Sequence, residues 1–213
     1  MRVRPYEPRD RVVIRQICCD TADKGEPVER FLRDREVFAD LVTSYYTDYE
    51  PQSTWVAERE GQVVGYLTGC LNTRRHRWIT FFRIAPIAIL KAIGRGTPFR
   101  RQTCKLLRDG LKTWLRGGFR REVPLDKYPA HFHINVRQGF RGHEIGRHLI
   151  ESFLQQAKAA GLKGIHLVTR KDNLSARHFF EQMGFTALSH HPANLPQDGG
   201  GSVHDAVIYG KQL

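Results

Sequence analysis

Residues 135–147 gather side chains and glycines that could hold a phosphorylated ligand. The run is Asn135-Val136-Arg137-Gln138-Gly139-Phe140-Arg141-Gly142-His143-Glu144-Ile145-Gly146-Arg147. It reads as a strand that breaks into a glycine-punctuated basic turn and opens a helix from Glu144 to about Ala160. The first N–H groups of a helix have no intrahelical acceptor, and the helix dipole favours an anion beside them. Such a turn can cradle a phosphate or pyrophosphate. A merely solvated turn has the same composition, so support must come from elsewhere in the chain. Just upstream, His131 and His133 stand at i and i+2 and share one face of the strand. Imidazoles titrate near neutrality and suit removal of a proton from an ammonium. The same spacing also fits two packed or solvated histidines, or two zinc ligands whose third partner is not identifiable. No metal is expected.

Downstream, a short strand (164–169) is followed by Asn173-Leu174-Ser175-Ala176-Arg177-His178-Phe179-Phe180-Glu181-Gln182-Met183-Gly184-Phe185. The order strand, basic turn, helix, strand, helix, strand resembles the GNAT acetyltransferases, which transfer an acyl group from acetyl-CoA to an amine. Their pyrophosphate turn has the pattern Q/R-x-x-G-x-G/A, and their later helix N-x-x-A-x-x-F/Y-Y-E-x-x-G-F. Arg141 and Gly146 match the ends of the first pattern. Asn173, Ala176, Phe179, Glu181, Gly184 and Phe185 match the second. The resemblance covers residues 1–72 and 129–213. The Trp55-Val56-Ala57-Glu58 strand and the Tyr128-Pro129-Ala130-His131-Phe132-His133-Ile134 run are similar to bacterial members related to the acetyltransferase-like domain of O-GlcNAc hydrolases.

The resemblance implies a set of acetyl-CoA contacts. The backbone of Ile134 and Val136 would take the pantetheine arm, as a ligand adds to a strand edge. Arg141, Gly142, His143, Glu144, Gly146 and Arg147 would surround the pyrophosphate, with Asn173 and Phe180 nearby. Two positions depart from the pattern. Glu144 stands where the family has its middle glycine, and a carboxylate in the first helical turn is expected to face solvent. Phe180 stands where the family often has a tyrosine that protonates the departing thiolate. Tyr209, Tyr66 or a water would have to replace it. Asn135 follows His-x-His-Ile where related members often carry an acid, so His133 becomes the candidate base by elimination.

Around these groups the chain of 213 residues is long enough for one domain with a sizeable core. Its four cysteines show neither metal-ligand spacing nor an even disulfide pattern, and no apolar run is long enough to cross a bilayer. Those features make a cytoplasmic setting, with peripheral membrane attachment as an alternative, the expectation. Arg2 to Arg4 can start a strand. A helix follows Pro8-Arg9-Asp10, a second is predicted from Val28 to Tyr46, and residues 53–71 form a hairpin. The chain closes with a Pro/Gly/Asn loop (191–202) and a last strand (203–211). The fold class is α/β, a GNAT-like mixed, mostly antiparallel sheet flanked by helices.

The formal charge of +12 is concentrated in one place: residues 73–128 carry 15 Lys and Arg against Asp109, Glu122 and Asp126, and the remainder is neutral. This stretch reads as an inserted helical hairpin. Its first helix, from Trp78 to Ile93, is bent or broken near Pro86. The second begins at Thr97-Pro98 with Leu107, Leu111 and Trp114 on one stripe. An aromatic face of Trp78, Phe81, Phe82 and Trp114 is expected to be buried on the same domain as a lid, on a second copy as a homodimer, or in an anionic membrane surface. The charge permits nucleic-acid binding, but no reader motif accompanies it. The expected activity is acetyl-CoA-dependent N-acetyl transfer to a small-molecule or peptide amine by direct attack on the thioester. The competing class is a non-catalytic acyl-CoA-binding or membrane-surface module.

Overall fold

The computed structural model describes residues 1–23, 25–30, 32–97, 104, 108, 123–142, 144–193 and 204–213, without the side chains of 191–193 and 204–205. Seven strands form one sheet: β1 (Arg2–Pro5), β2 (Thr54–Arg59), β3 (Gln62–Cys70), β4 (Ala130–Val136), β5 (Gly164–Arg170), β6 (Thr186–Ala193) and β7 (His204–Gln212). Their order is β1-β2-β3-β4-β5-β7-β6, and every pair is antiparallel except β4 with β5. This is the mixed, mostly antiparallel α/β architecture expected from the sequence.

The helices are α1 (Arg11–Asp20), α2 (Arg35–Ser44), α3 (Thr73–Ile79), α4 (Ala85–Gly94), α5 (Ile145–Ala159) and α6 (Leu174–Gln182). They divide between the two sheet faces. On one face α5 and α6 bury Leu149, Ile150, Phe153 and Phe180 against Phe132, Leu67 and Tyr209. Gly69 of β3 makes this close, because a Cβ there would overlap the Phe153 ring and the Ser53 carbonyl. On the other face α1 packs Ile14, Ile17 and Cys18 on Val56 and Tyr66. The Arg4 guanidinium grips the buried Asp10 carboxylate with two bonds of 2.7 and 2.9 Å, tying β1 to the start of α1.

Two helix boundaries differ from the sequence expectation. The helix predicted over 28–46 divides into a single 3-10 turn (Val28–Arg30) and α2, because the Asp34 side chain caps a new start by accepting from Val37 N. It then continues as a wide turn, Tyr45–Tyr49, which ends before Pro51. The expected bend near Pro86 takes a related form. A wide turn, Thr80–Ile84, separates α3 from α4, and it accommodates a proline that can neither donate its N–H nor fit the carbonyl four residues back. Of the second helix expected after Thr97-Pro98, Cys104 and Arg108 are described and helical, whereas Leu107, Leu111 and Trp114 lie outside the described residues, as do Phe31 and His143. Strand β6 runs to Ala193, so part of the predicted loop is strand, and the last strand is displaced by one residue.

Candidate active site

Strands β4 and β5 start side by side and then part. Only Ala130 with Ile165 and His131 with His166 are in register. Each strand nevertheless continues on its other edge, β4 against β3 as far as Val136 and β5 against β7 as far as Arg170. Arg137 N donates to Val64 O at 2.9 Å, so by antiparallel alternation the odd residues of β4 bond to β3. The backbone N–H and C=O groups of Ile134 and Val136 therefore turn toward the opened edge. Among the described residues no strand pairs with this stretch of the edge, which lies next to the start of α5.

The turn between β4 and α5 combines left-handed residues with a helix start that has no side-chain cap, a geometry that can accommodate an anion. Gly139 and Gly142 adopt positive φ with open space around them. Glu144 is also left-handed, at φ 57°, as the residue before the helix. The helix starts at Ile145, one residue later than expected. Glu144 thus takes, without glycine's freedom, the backbone conformation that glycine takes readily. Its carboxylate is two-thirds exposed and 3.8 Å from Arg147, so it faces solvent, as the sequence suggested. Among the described residues no side chain caps α5, whereas Asp34, Asn72 and Asn173 cap α2, α3 and α6. Arg141 donates from Nε to Val136 O at 3.3 Å, and its guanidinium lies against Gly25, where a Cβ would collide with it.

Gly146 has a packing role. A Cβ there would stand 2.9 Å from the Phe179 ring, so the glycine sets how closely α5 meets α6. Asn173 uses its side-chain oxygen to accept from Ala176 N at 3.3 Å, which starts α6. Phe180 is buried, its ring near those of Phe132, Phe185 and Tyr209. Of the two tyrosines considered as substitutes for it, Tyr209 lies beside Phe180 and donates its hydroxyl to Glu181 at 2.6 Å while accepting from Arg177. Tyr66 is buried on the opposite face and accepts from Asn135 Nδ2 at 2.8 Å.

That opposite face carries four imidazoles. His131, His133 and Asn135 share it as expected, and His166 joins them from β5, its ring centre 5.4 Å from that of His131. His76 reaches in from α3, 4.8 Å from His131 and 4.5 Å from Tyr45. Tyr46 completes the group through the wide turn after α2, with ring distances of 5.4 Å to His76 and 5.7 Å to His133.

His131 is locked at both nitrogens. Thr73 Oγ1 lies 2.7 Å from its Nδ1 and 2.7 Å from Pro129 O, and Tyr46 OH lies 2.8 Å from its Nε2. A carbonyl can only accept, so the Thr73 proton goes to Pro129 O. His131 Nδ1–H then donates to Thr73, and Tyr46 OH donates to Nε2, an assignment that satisfies every group. Burial, then the neighbouring His76 and His133, push the His131 pKa well below the usual imidazole range. Burial also lowers His76 and His166 to about 4, so these rings are neutral at pH 7. Of the four, His133 is the exposed one.

Sequence reasoning singled out the His131–His133 pair. It missed Tyr46, Thr73 and His76. Thr73 and His76 stand at i and i+3 just past the Asn72 cap, a spacing that places both on one helix side, and that signal was available.

The described part of the insertion packs on the imidazole-bearing face of the same sheet. Lys91 pairs with Asp40 at 2.8 Å and Arg95 with Asp34 at 3.3 Å, so part of its positive charge is matched by α2 and its cap. Of its aromatic face, Trp78, Phe81 and Phe82 are 55%, 69% and 58% exposed, so they are not covered within the chain as a lid would be, and Trp114 lies outside the described residues. The described residues include no helix long and apolar enough to cross a membrane.

The acetyltransferase (GNAT) family model matches residues 118–185, the stretch that holds β4, the turn, α5, β5 and α6. The chain is similar over 99% of its length to SsHAT, at 27% identity, covering 97% of that chain with a TM-score of 0.73. It shares its fold with a ribosomal-protein-alanine N-acetyltransferase from Brucella melitensis (16% identity, 100% of each chain, TM-score 0.60). It also shares it with yncA, a putative acetyltransferase from Salmonella typhimurium solved with its cofactor acetyl-CoA (14% identity, 99% of this chain and 92% of that chain, TM-score 0.60).

Proposed function

Because the chain belongs to the GNAT acetyltransferases, we propose that it moves the acetyl group of acetyl-CoA directly to an amine held on the imidazole-bearing face of β4. The observation that carries this reading is the parting of β4 from β5 immediately before an uncapped helix start. The open edge offers backbone groups of Ile134 and Val136 to the amide-bearing pantetheine arm. The N-terminal N–H groups of α5, with Arg141, Gly142, Glu144 turned outward, Gly146 and Arg147 around them, suit a pyrophosphate. When bound, the donor supplies an acetyl carbonyl activated as a thioester.

The chain's own residues then do three things. The backbone edge orients the thioester, and the sheet separates the anionic cofactor side from the acceptor side. His133 takes a proton from the incoming ammonium, since an amine attacks only when neutral. Its neighbours are less suited to accept that proton, because His131 has both nitrogens engaged and His76 and His166 hold protons too weakly at pH 7. The thiolate's proton comes from water, because Phe180 has none to give and Tyr209 already donates to Glu181. The acceptor is a small-molecule or peptide amine.

Titration calorimetry with CoA, paired with thiol release from acetyl-CoA over a panel of amines, tests this. Arg141→Glu is expected to weaken CoA binding at least tenfold with an unchanged melting temperature. His133→Ala is expected to lower turnover and leave CoA affinity intact. Unchanged CoA affinity in Arg141→Glu would overturn the pyrophosphate assignment. Tight CoA binding with no thiol release for any amine would leave a binding module.

A further inference from the structure

The described part of the insertion is built inside out. Along α3, the wide turn and α4, the side chains packed inward are Thr73, Ile79, Ile84, Ala88 and Ala92. The large ones point away: Trp78, Phe81, Phe82, Ile89, Leu90 and Ile93 are each more than half exposed. A helix shaped only to cover a protein core does the reverse, burying its bulky apolar residues and turning polar ones to water. The orientation is fixed by ion pairs, since Lys91 and Arg95 hold the inner side of this element to Asp40 and Asp34. Arg74, Arg75, Arg77 and Arg83 lie among or beside the exposed apolar residues, all exposed themselves, and residues 73–94 contain no acid at all.

We propose that this face seats in the interfacial layer of an anionic lipid bilayer. The aromatic and aliphatic side chains enter the boundary between headgroups and acyl chains, and the arginines meet the lipid phosphates. The element lies flat, because no described helix is long and apolar enough to cross. Charge argues for lipid over a second copy of the chain. A two-fold dimer through the middle of this face brings Arg83 near its own symmetry mate and joins two chains of formal charge +12. Lipid phosphates offset that charge instead.

Docking has a consequence for the acceptor, which rests on the acetyl-transfer reading. His76, on the same α3, touches Tyr46 and His131, so the docked face adjoins the acceptor side of the sheet. The amine would then be met at the lipid surface, on a lipid headgroup or a membrane-held molecule.

Sedimentation of the full chain with sucrose-loaded vesicles tests the docking independently of catalysis. Vesicles of phosphatidylcholine alone are compared with vesicles containing one-third phosphatidylglycerol. Binding to the anionic vesicles, weakening as salt rises, is expected, with little to the neutral ones. Phe82→Ser/Leu90→Ser should lower that binding at least tenfold while melting temperature and CoA affinity stay unchanged. Failure of the wild-type chain to bind anionic vesicles would overturn the proposal. So would light scattering that shows a dimer which the double variant converts to a monomer, since the face then belongs to a second copy. A clear loss of melting temperature in the variant would also overturn it, because the face is then covered within the chain.

Discussion

The two faces of β4 are assembled in different ways. Toward α5 and α6, Phe132, Ile134 and Val136 meet Ile145, Leu149, Phe179 and Phe180, all within one stretch of about fifty residues. On the other face, His131, His133 and Asn135 meet Tyr46, Tyr66, Thr73, His76 and His166, which arrive from four separate elements. The first face ends in a glycine-bearing turn at a helix start, and the second is a cluster of imidazoles, of which burial keeps His76, His131 and His166 neutral at pH 7, tied together by a hydrogen-bond chain. A turn defined by its backbone can keep its shape through a change of side chain, as Glu144 holds a left-handed conformation in a glycine's place. A cluster made of side chains cannot.

Acid should expose that contrast most strongly. His76 and His166 have folded pKa values near 4, below the usual 6.5, so the unfolded chain binds more protons between those values. Stability is therefore complete above about pH 6.5 and falls as pH drops toward 4. The loss is up to about 1.4 kcal/mol per pH unit for each histidine, less for the partly exposed His76. Denaturant unfolding from pH 7.5 to 4.5 reads this directly. Replacing both residues with Phe should make the profile shallower, leaving the part that the buried His131 contributes, and an unchanged profile would show that His76 and His166 do not titrate with folding.

A smaller effect separates the faces by mutation. His131→Phe leaves the Tyr46 hydroxyl buried with no acceptor, at a cost of about 2–3 kcal/mol. Adding Tyr46→Phe should recover part of it, because both partners are then apolar. CoA affinity should be the same in both variants as in the wild type. If His131→Phe weakened CoA binding as much as it lowered stability, the two faces would not be independent.

The smallest effect belongs to the cradle. Glu144→Gly relieves a left-handed non-glycine residue and is expected to raise stability by about 1 kcal/mol. It also removes a carboxylate from the anion site, so CoA affinity should rise slightly. A destabilised Glu144→Gly would mean that the 3.8 Å contact with Arg147 outweighs the backbone strain. Thermal melts with and without CoA distinguish the two.

Much of the first face was legible in the sequence. The strand, turn, helix order over residues 130–160 and the Asn173 cap depend on backbone preferences and neighbours a few positions apart, and the structure reproduces them within a residue or two. The second face was legible only at His131 and His133. Nothing in the spacing of Tyr46, eighty-five residues before His131, announces a hydrogen bond between them. The bond depends on a wide turn after α2 and on where that turn settles against β3. The exposed side of α3 and α4 needed the structure for a related reason: periodicity shows that a helix has apolar residues, but not which of its sides the protein covers.

The sequence by itself determined the strand–turn–helix that can hold an anionic ligand, the positions that depart from the family pattern, and the concentration of charge between β3 and β4. These follow from local conformational preference and composition, which need no knowledge of distant residues. Only the tertiary structure decided that β4 and β5 part after His131, that His131 is locked while His133 stays exposed, and that the inserted helices turn their bulky side outward. Each of those depends on register and docking between segments far apart in the chain, where packing and buried hydrogen bonds select one arrangement from the many that the sequence pattern allows.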